Sequence, residues 1–77
     1  MRKQKYELFA SANKRVAQNV RRYLKIKDWT IEALAAEAEI DKGNLTNALN
    51  GKINFTMRMI VRIEEALKVD LSELFKK

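Results

Sequence analysis

The stretch from Thr30 to Asn50 constrains the fold of this chain more than any other. Ile31, Leu34, Ala35 and Ala38 recur at i, i+3, i+4 and i+7, the spacing of one helical face. Ile40 follows where the chain must turn, and Leu45, Ala48 and Leu49 repeat the pattern on a second short segment. Two helices joined by so short a turn cross steeply, and a side chain as small as Ala35 is what allows their close approach. With the apolar residues inward, Lys42, Gly43, Asn44, Thr46, Asn47 and Asn50 are left on the outer face of the second helix. Apart from one lysine that surface is uncharged and rich in amides and hydroxyls, groups suited to hydrogen bonding with base edges in a DNA major groove.

Composition narrows the remaining choices. Seventy-seven residues suffice for one domain with a small core, whose stability is expected to be modest unless dimerisation adds to it. There is no cysteine and no histidine, which leaves no disulfide, no usual zinc ligand set and no histidine-based catalysis; no metal and no cofactor are expected. No apolar run approaches the ~18 residues of a membrane span, and the basic start is not followed by the apolar stretch of a signal peptide, so a cytoplasmic location is expected. No grouping of nucleophile, base and oxyanion donor can be assembled and no glycine-rich phosphate loop is present, so the chain does not read as an enzyme. The lack of proline and the presence of only two glycines favour an all-α fold with short connections.

Charge is unevenly spread. Residues 1–27 hold Arg2, Lys3, Lys5, Lys14, Arg15, Arg21, Arg22, Lys25 and Lys27 against Glu7 alone, whereas residues 28–50 hold five acids against Lys42. Such a division suits one face turned to phosphates and another turned to solvent or a partner, although charge alone is equally consistent with a solvated surface. Five helices are expected. The first covers Ala12 to Ile26 with Ser11 as its cap, after an extension over residues 1–10 that is either a flexible arm or an early turn of that helix. The second follows Thr30, the third runs from Asp41 to a left-handed stop at Asn50-Gly51, and the fourth runs from Thr56 to Lys68. In the fourth, Met57, Ile60, Ile63 and Leu67 keep the helical period, with Met57 and Met59 as core and edge residues. A short fifth helix starts with a capping-box-like Asp70-Leu-Ser-Glu73.

Val16 and Val20, Trp29-Thr30, Glu32, Leu34-Ala35, Ile40-Asp41-Lys42, Leu45, Asn50-Gly51-Lys52, Ile60, Ile63, Ala66-Leu67, Val69 and Leu74-Phe75 together resemble the lambda-repressor-like, or XRE, helix-turn-helix family of phage and bacterial regulators. The resemblance covers about four-fifths of the chain. It implies a compact five-helix DNA-binding domain over residues 11–77 with a central helix-turn-helix, and a regulator of transcription, repressor or controller, that reads a double-stranded operator with its third helix. By position it assigns base contact to Lys42, Gly43, Thr46 and Asn47, with Asn44 beside them, and phosphate contact to Thr30, Asn50, Lys52 and Arg58. Backbone N–H groups at the starts of the second and fourth helices would add to the phosphate contacts.

The chain also departs from the family pattern. A glutamine that commonly opens the second helix is Ile31 here, which is then either core or an apolar contact to a sugar. The arginine and glutamate that commonly pair between helices one and three are Leu24 and Leu49, a joint change that predicts contact between the two leucines. Because that arginine also reaches a phosphate, the charge must come from Arg21, Arg22 or Lys25. Asp28, Glu39 and Lys68 stand at turn positions where relatives carry glycine, and a left-handed backbone there would cost stability. Gly43 weakens the third helix and is explained either by close approach to DNA or by drift at an exposed site. Trp29 is expected to cap the core rather than stack on a base.

Relatives bind as dimers to half-sites about one helical turn apart. With no separate oligomerisation domain in this sequence, a homodimer is expected to use the fifth helix and its flanks, Val69, Leu71, Leu74 and Phe75. Of these, Leu74 is expected to fold back on its own subunit and Phe75 to cross. Tyr6 and Phe9 are open to packing against the fifth helix or a partner, and Arg2, Lys3 and Lys5 to contacting DNA as an arm. The alternative function is an antitoxin-like or other protein-interaction module built on the same fold.

Overall fold

The computed structural model describes the backbone of residues 2–77 and the side chains of residues 10–77. Five helices follow in order: α1 Arg2–Lys27, α2 Ile31–Ala38, α3 Lys42–Leu49, α4 Met57–Leu67 and α5 Leu71–Leu74. No strand occurs among the described residues. At a rise of about 1.5 Å per residue, the 26 residues of α1 account for the 39 Å long dimension of the molecule. The helix begins well before the expected Ser11, which therefore sits inside α1 and is not a cap. Residues 2–10 hold neither glycine nor proline and are mostly good helix formers, so nothing in them stops the helix. The side chains of Arg2, Lys3, Lys5, Tyr6 and Phe9, on which an arm or a packing role was expected, lie outside the described residues.

Three short helices start on side-chain caps of one kind. Thr30 Oγ1 accepts from the Ala33 N–H at 3.0 Å, Asp41 Oδ2 from the Asn44 N–H at 3.0 Å, and Thr56 Oγ1 from the Met59 N–H at 3.1 Å. Each satisfies a donor that the first helical turn would otherwise leave unpaired, worth about 1 kcal/mol per cap. The capping box expected at α5 does not form. Asp70 makes no side-chain cap bond, and the Glu73 carboxylate is instead taken by the Tyr23 hydroxyl at 2.6 Å and the Lys76 ammonium at 3.7 Å.

The core joins Val16, Ala17, Val20 and Leu24 of α1, Leu34, Ala35 and Ala38 of α2, and Leu45 and Leu49 of α3. Ile60, Ile63 and Leu67 of α4 and Leu74 of α5 complete it. Leu24 and Leu49 are thus both apolar members of one cluster, as their expected contact requires. Trp29, Ile31 and Ile40 are half-buried against it, so Ile31 serves the core and Trp29 covers it. Met59 is buried, whereas Met57, expected inside, is 62% exposed at the first position of α4.

The α2–α3 turn is left-handed at Glu39 (φ 54°), with the Ile40 N–H donating to the Ala35 carbonyl at 2.9 Å. Asp28 (φ 57°) and Lys68 (φ 57°) are left-handed too, as expected for these turn positions. The Arg62 guanidinium donates to the Glu39 carbonyl at 2.7 Å and so ties α4 to that turn.

Candidate nucleic-acid interface

Helix α3 has two faces. Leu45, Ala48 and Leu49 are buried against α1 and α2, while Lys42, Gly43, Asn44 and Asn50 are exposed and Thr46 and Asn47 are half-exposed. Packing from behind by two other helices leaves these polar groups outward on a rigid support. None of the side-chain hydrogen bonds among the described residues engages the Asn44, Thr46 or Asn47 side chains, so their donors and acceptors stay open to an outside partner. Lys42 pairs with Glu32 of α2 at 3.2 Å. Both groups are largely exposed, and an ion pair of this kind is weak enough to yield to a stronger anion.

Gly43 has a structural reason that sequence reasoning missed. A Cβ built there would stand 3.1 Å from Asp41 Oδ2, the oxygen that caps α3. A larger residue therefore presses on the cap that starts α3. At the other end, Gly51 (φ 78°) supplies the expected left-handed stop, and the Asn47 carbonyl accepts from the Lys52 N–H at 2.8 Å.

The residues expected to hold phosphates are not all brought together. Thr30, Asn50, Lys52 and Arg58 are exposed, at the start of α2, the end of α3, the following turn and the first turn of α4. The Thr30 hydroxyl already accepts from its own helix and keeps its proton to donate. Arg21 joins this group through a 2.9 Å bond from its guanidinium to Asn50 Oδ1. Arg22 does not. Its guanidinium lies over the Tyr23 ring, 4.8 Å from the centroid, and donates to Asn19 Oδ1 at 3.3 Å, on the flank of α1 that holds the α5 segment. Neighbouring residues on a helix point about 100° apart, so only one of two adjacent arginines can serve α3.

Two amides on α1 position the surroundings, and composition alone did not single them out. Asn13 donates to the Ile53 carbonyl at 3.4 Å and accepts from the Phe55 N–H at 2.8 Å, holding the loop between α3 and α4. Asn19, buried to 7% exposure, donates to the Leu74 and Lys76 carbonyls at 2.9 and 2.7 Å and closes the end of α5. The available signal was a polar residue on the inner stripe of α1, at Asn13 before Val16 and at Asn19 beside Val20.

Of the residues expected at a dimer surface, Leu74 is fully buried in its own chain and is removed from any such surface. Val69 and Leu71 are half-buried against the core, and Phe75 is 37% exposed.

No curated protein and no solved structure matches the chain. A family model described as helix-turn-helix matches residues 20–74, well over half of the sequence and all of α2 to α5. With a half-exposed polar helix braced against its neighbour across a left-handed turn, and with that match, the chain belongs to the lambda-repressor-like (XRE) helix-turn-helix family of DNA-binding domains.

Proposed function

We propose that the protein is a sequence-specific transcription regulator, a repressor or controller, that acts as a homodimer in the cytoplasm of a bacterium or of a phage-infected cell. It reads the major groove with Lys42, Gly43, Asn44, Thr46 and Asn47 of α3. Thr30, Asn50, Lys52 and Arg58 hold the flanking phosphates, with Arg21 joining them through Asn50. The observation that carries this reading is the outward polar face of α3, whose side-chain amides are unspent while Leu45, Ala48 and Leu49 are locked in the core. An amide at Asn47 can address adenine N6 and N7 together, the geometry that gives direct readout. The half-buried Val69 and Leu71 with the exposed Phe75 support a two-fold contact that spaces two α3 helices about 34 Å apart on successive major grooves.

Footprinting on the DNA upstream of the protein's own gene, at several salt concentrations, tests the proposal. A protected two-fold site with a moderate salt slope is expected. Binding that ignores sequence and falls steeply with salt would make the protein architectural. A stable complex with a neighbouring gene product, without DNA binding at low salt, would make it a protein-interaction module.

A further inference from the structure

Between α1 and the end of α3 runs an open groove of about 440 Å³. Lys14, Gln18 and Arg21 of α1 line one side, and Asn50, Gly51 and Asn54 line the other. Lys14, Gln18 and Arg21 are spaced i, i+4 and i+7, so they form one stripe along the helix. Among the described residues no carboxylate lines this groove, and from Ala10 to Lys27 the helix contains no acidic residue. Acids collect elsewhere: Glu37, Glu39 and Glu65 surround a separate groove between α2 and α4, with Arg62 as its one cation among the described residues. The cationic groove is continuous with the reading helix, because Asn50 and Gly51 form both its rim and the end of α3, and Arg21 is bonded to Asn50. Lys14 and Gln18 lie before Val20, where the match to the family begins.

From this placement we infer that the stripe Lys14–Gln18–Arg21 is a second phosphate-binding face, which takes the sugar-phosphate strand of the same duplex beyond the segment held by Asn50. The inference rests on the DNA-binding reading above and extends its footprint. Over seven residues the stripe rises about 10 Å along α1, enough to meet more than one phosphate of a strand whose charges rise about 3.4 Å apart. Lysine and arginine supply charge there, and the Gln18 and Asn54 amides supply neutral donors of the kind that commonly bond phosphate oxygens. Such contacts carry no base preference. Their effect is to lengthen the protected segment and to steepen the dependence of binding on salt.

The test uses the full chain and two fluorescein-labelled duplexes, one of mixed sequence and one carrying a site obtained by in vitro selection. Binding is followed by anisotropy from about 50 to about 200 mM salt, where phosphate contacts dominate the change in affinity. Lys14→Gln is expected to lower the slope of log affinity against log salt by about 0.9 unit on either duplex. Gln18→Glu, which sets a carboxylate in the strand's path, is expected to weaken binding to both duplexes without changing the selected sequence. Hydroxyl-radical protection at the outer edge of the site is expected to disappear in both variants. Both residues are outside the core, and a thermal melt checks that the variants remain folded. Lys68→Gln, with the same loss of charge at the end of α4, is expected to leave the slope unchanged. Unchanged slopes and footprints in the α1 variants, while the unaltered protein binds, would overturn the inference alone. An equal fall in Lys68→Gln would overturn it as well, by making net charge the cause. Failure of the unaltered protein to bind either duplex would overturn it together with the reading on which it rests.

Discussion

Glu39 and Lys68 hold backbone conformations that L-residues with a Cβ adopt only at a cost, with φ of 54° and 57°. Replacing either by glycine relieves that strain and is expected to stabilise the domain by about 1 kcal/mol, partly offset by the freer unfolded chain. In a domain of this size such a gain raises the melting temperature by about 4–8 °C, and a thermal scan of Glu39→Gly and Lys68→Gly that shows no rise would contradict the strain argument. The Arg62 bond to Glu39 is made to a backbone carbonyl and survives the change. On the proposed reading, Asn47 and Lys52 represent two kinds of DNA contact. Asn47→Ala is expected to relax preference at one base pair per half-site, a loss of about 1–3 kcal/mol of discrimination, read by binding to a panel of singly altered sites. Lys52→Ala is expected to weaken all sequences alike and to reduce the salt slope by about one unit. Gly43 shows how a residue can be understood only in its setting: its spacing suggested approach to DNA or drift, yet a cap oxygen 3.1 Å from its absent Cβ supplies a reason inside the protein.

Helix α5 is four residues long and cannot persist on its own hydrogen bonds. It is retained by Leu74 in the core, by Asn19 bonded to two carbonyls, and by the Tyr23–Glu73 bond. Asn19→Ala leaves those carbonyls without their donor and is expected to cost about 1–3 kcal/mol, with hydrogen exchange of the α5 amides accelerated more than that of α2 or α3. Tyr23 and Glu73 give this element a pH dependence. The bond from Tyr23, then the nearby Lys76, holds the Glu73 carboxyl below its ordinary range, and the same bond followed by desolvation raises the Tyr23 phenol. A lowered carboxyl stabilises the fold above its unfolded pKa and loses that contribution as pH falls through its folded value. A raised phenol contributes below its unfolded pKa and loses the contribution as pH rises through its folded value. The difference in melting temperature between the native chain and Tyr23→Phe is therefore expected to be greatest between about pH 5 and pH 9 and to shrink on either side. A difference that does not vary with pH would show that the bond contributes nothing. The capping box expected from Asp70-Leu-Ser-Glu73 was a sound local reading, overridden because a phenol on α1 competes for the same carboxylate.

Across the whole molecule, charge and apolar surface are sorted by face. The α1–α3 side is cationic, the α2–α4 side carries Glu37, Glu39 and Glu65, and the partly exposed Phe75 lies on an apolar edge with Phe55 and Met57. A polyanion is drawn to the first of these and repelled by the carboxylates of the second. If the third is the dimer contact, Phe75→Lys is expected to shift sedimentation equilibrium toward monomer while the melting curve at low concentration changes little. A dimer undisturbed by that change would place the contact elsewhere. The pattern of exposure on α3, the candidate interface, was legible in advance. The exposed set Lys42, Gly43, Asn44 and Asn50 and the buried set Leu45, Ala48 and Leu49 follow from helical period alone. Arg22 was not legible, because period assigns a face only relative to neighbours whose positions must already be known, and its place beside Tyr23 depends on where α5 docks.

Local chemistry within the chain determined the caps at Thr30, Asp41 and Thr56, the left-handed stop at Gly51 and the inward stripes of α2 and α3, since each depends on residues only a few positions apart. Tertiary structure decided the partners of Asn13, Asn19, Tyr23, Arg21 and Arg62, which reach 23 to 57 residues along the chain. It also decided that α1 and the end of α3 enclose a cationic groove. Pairings over such distances are set by how whole helices pack, a property of the summed core that no local pattern encodes.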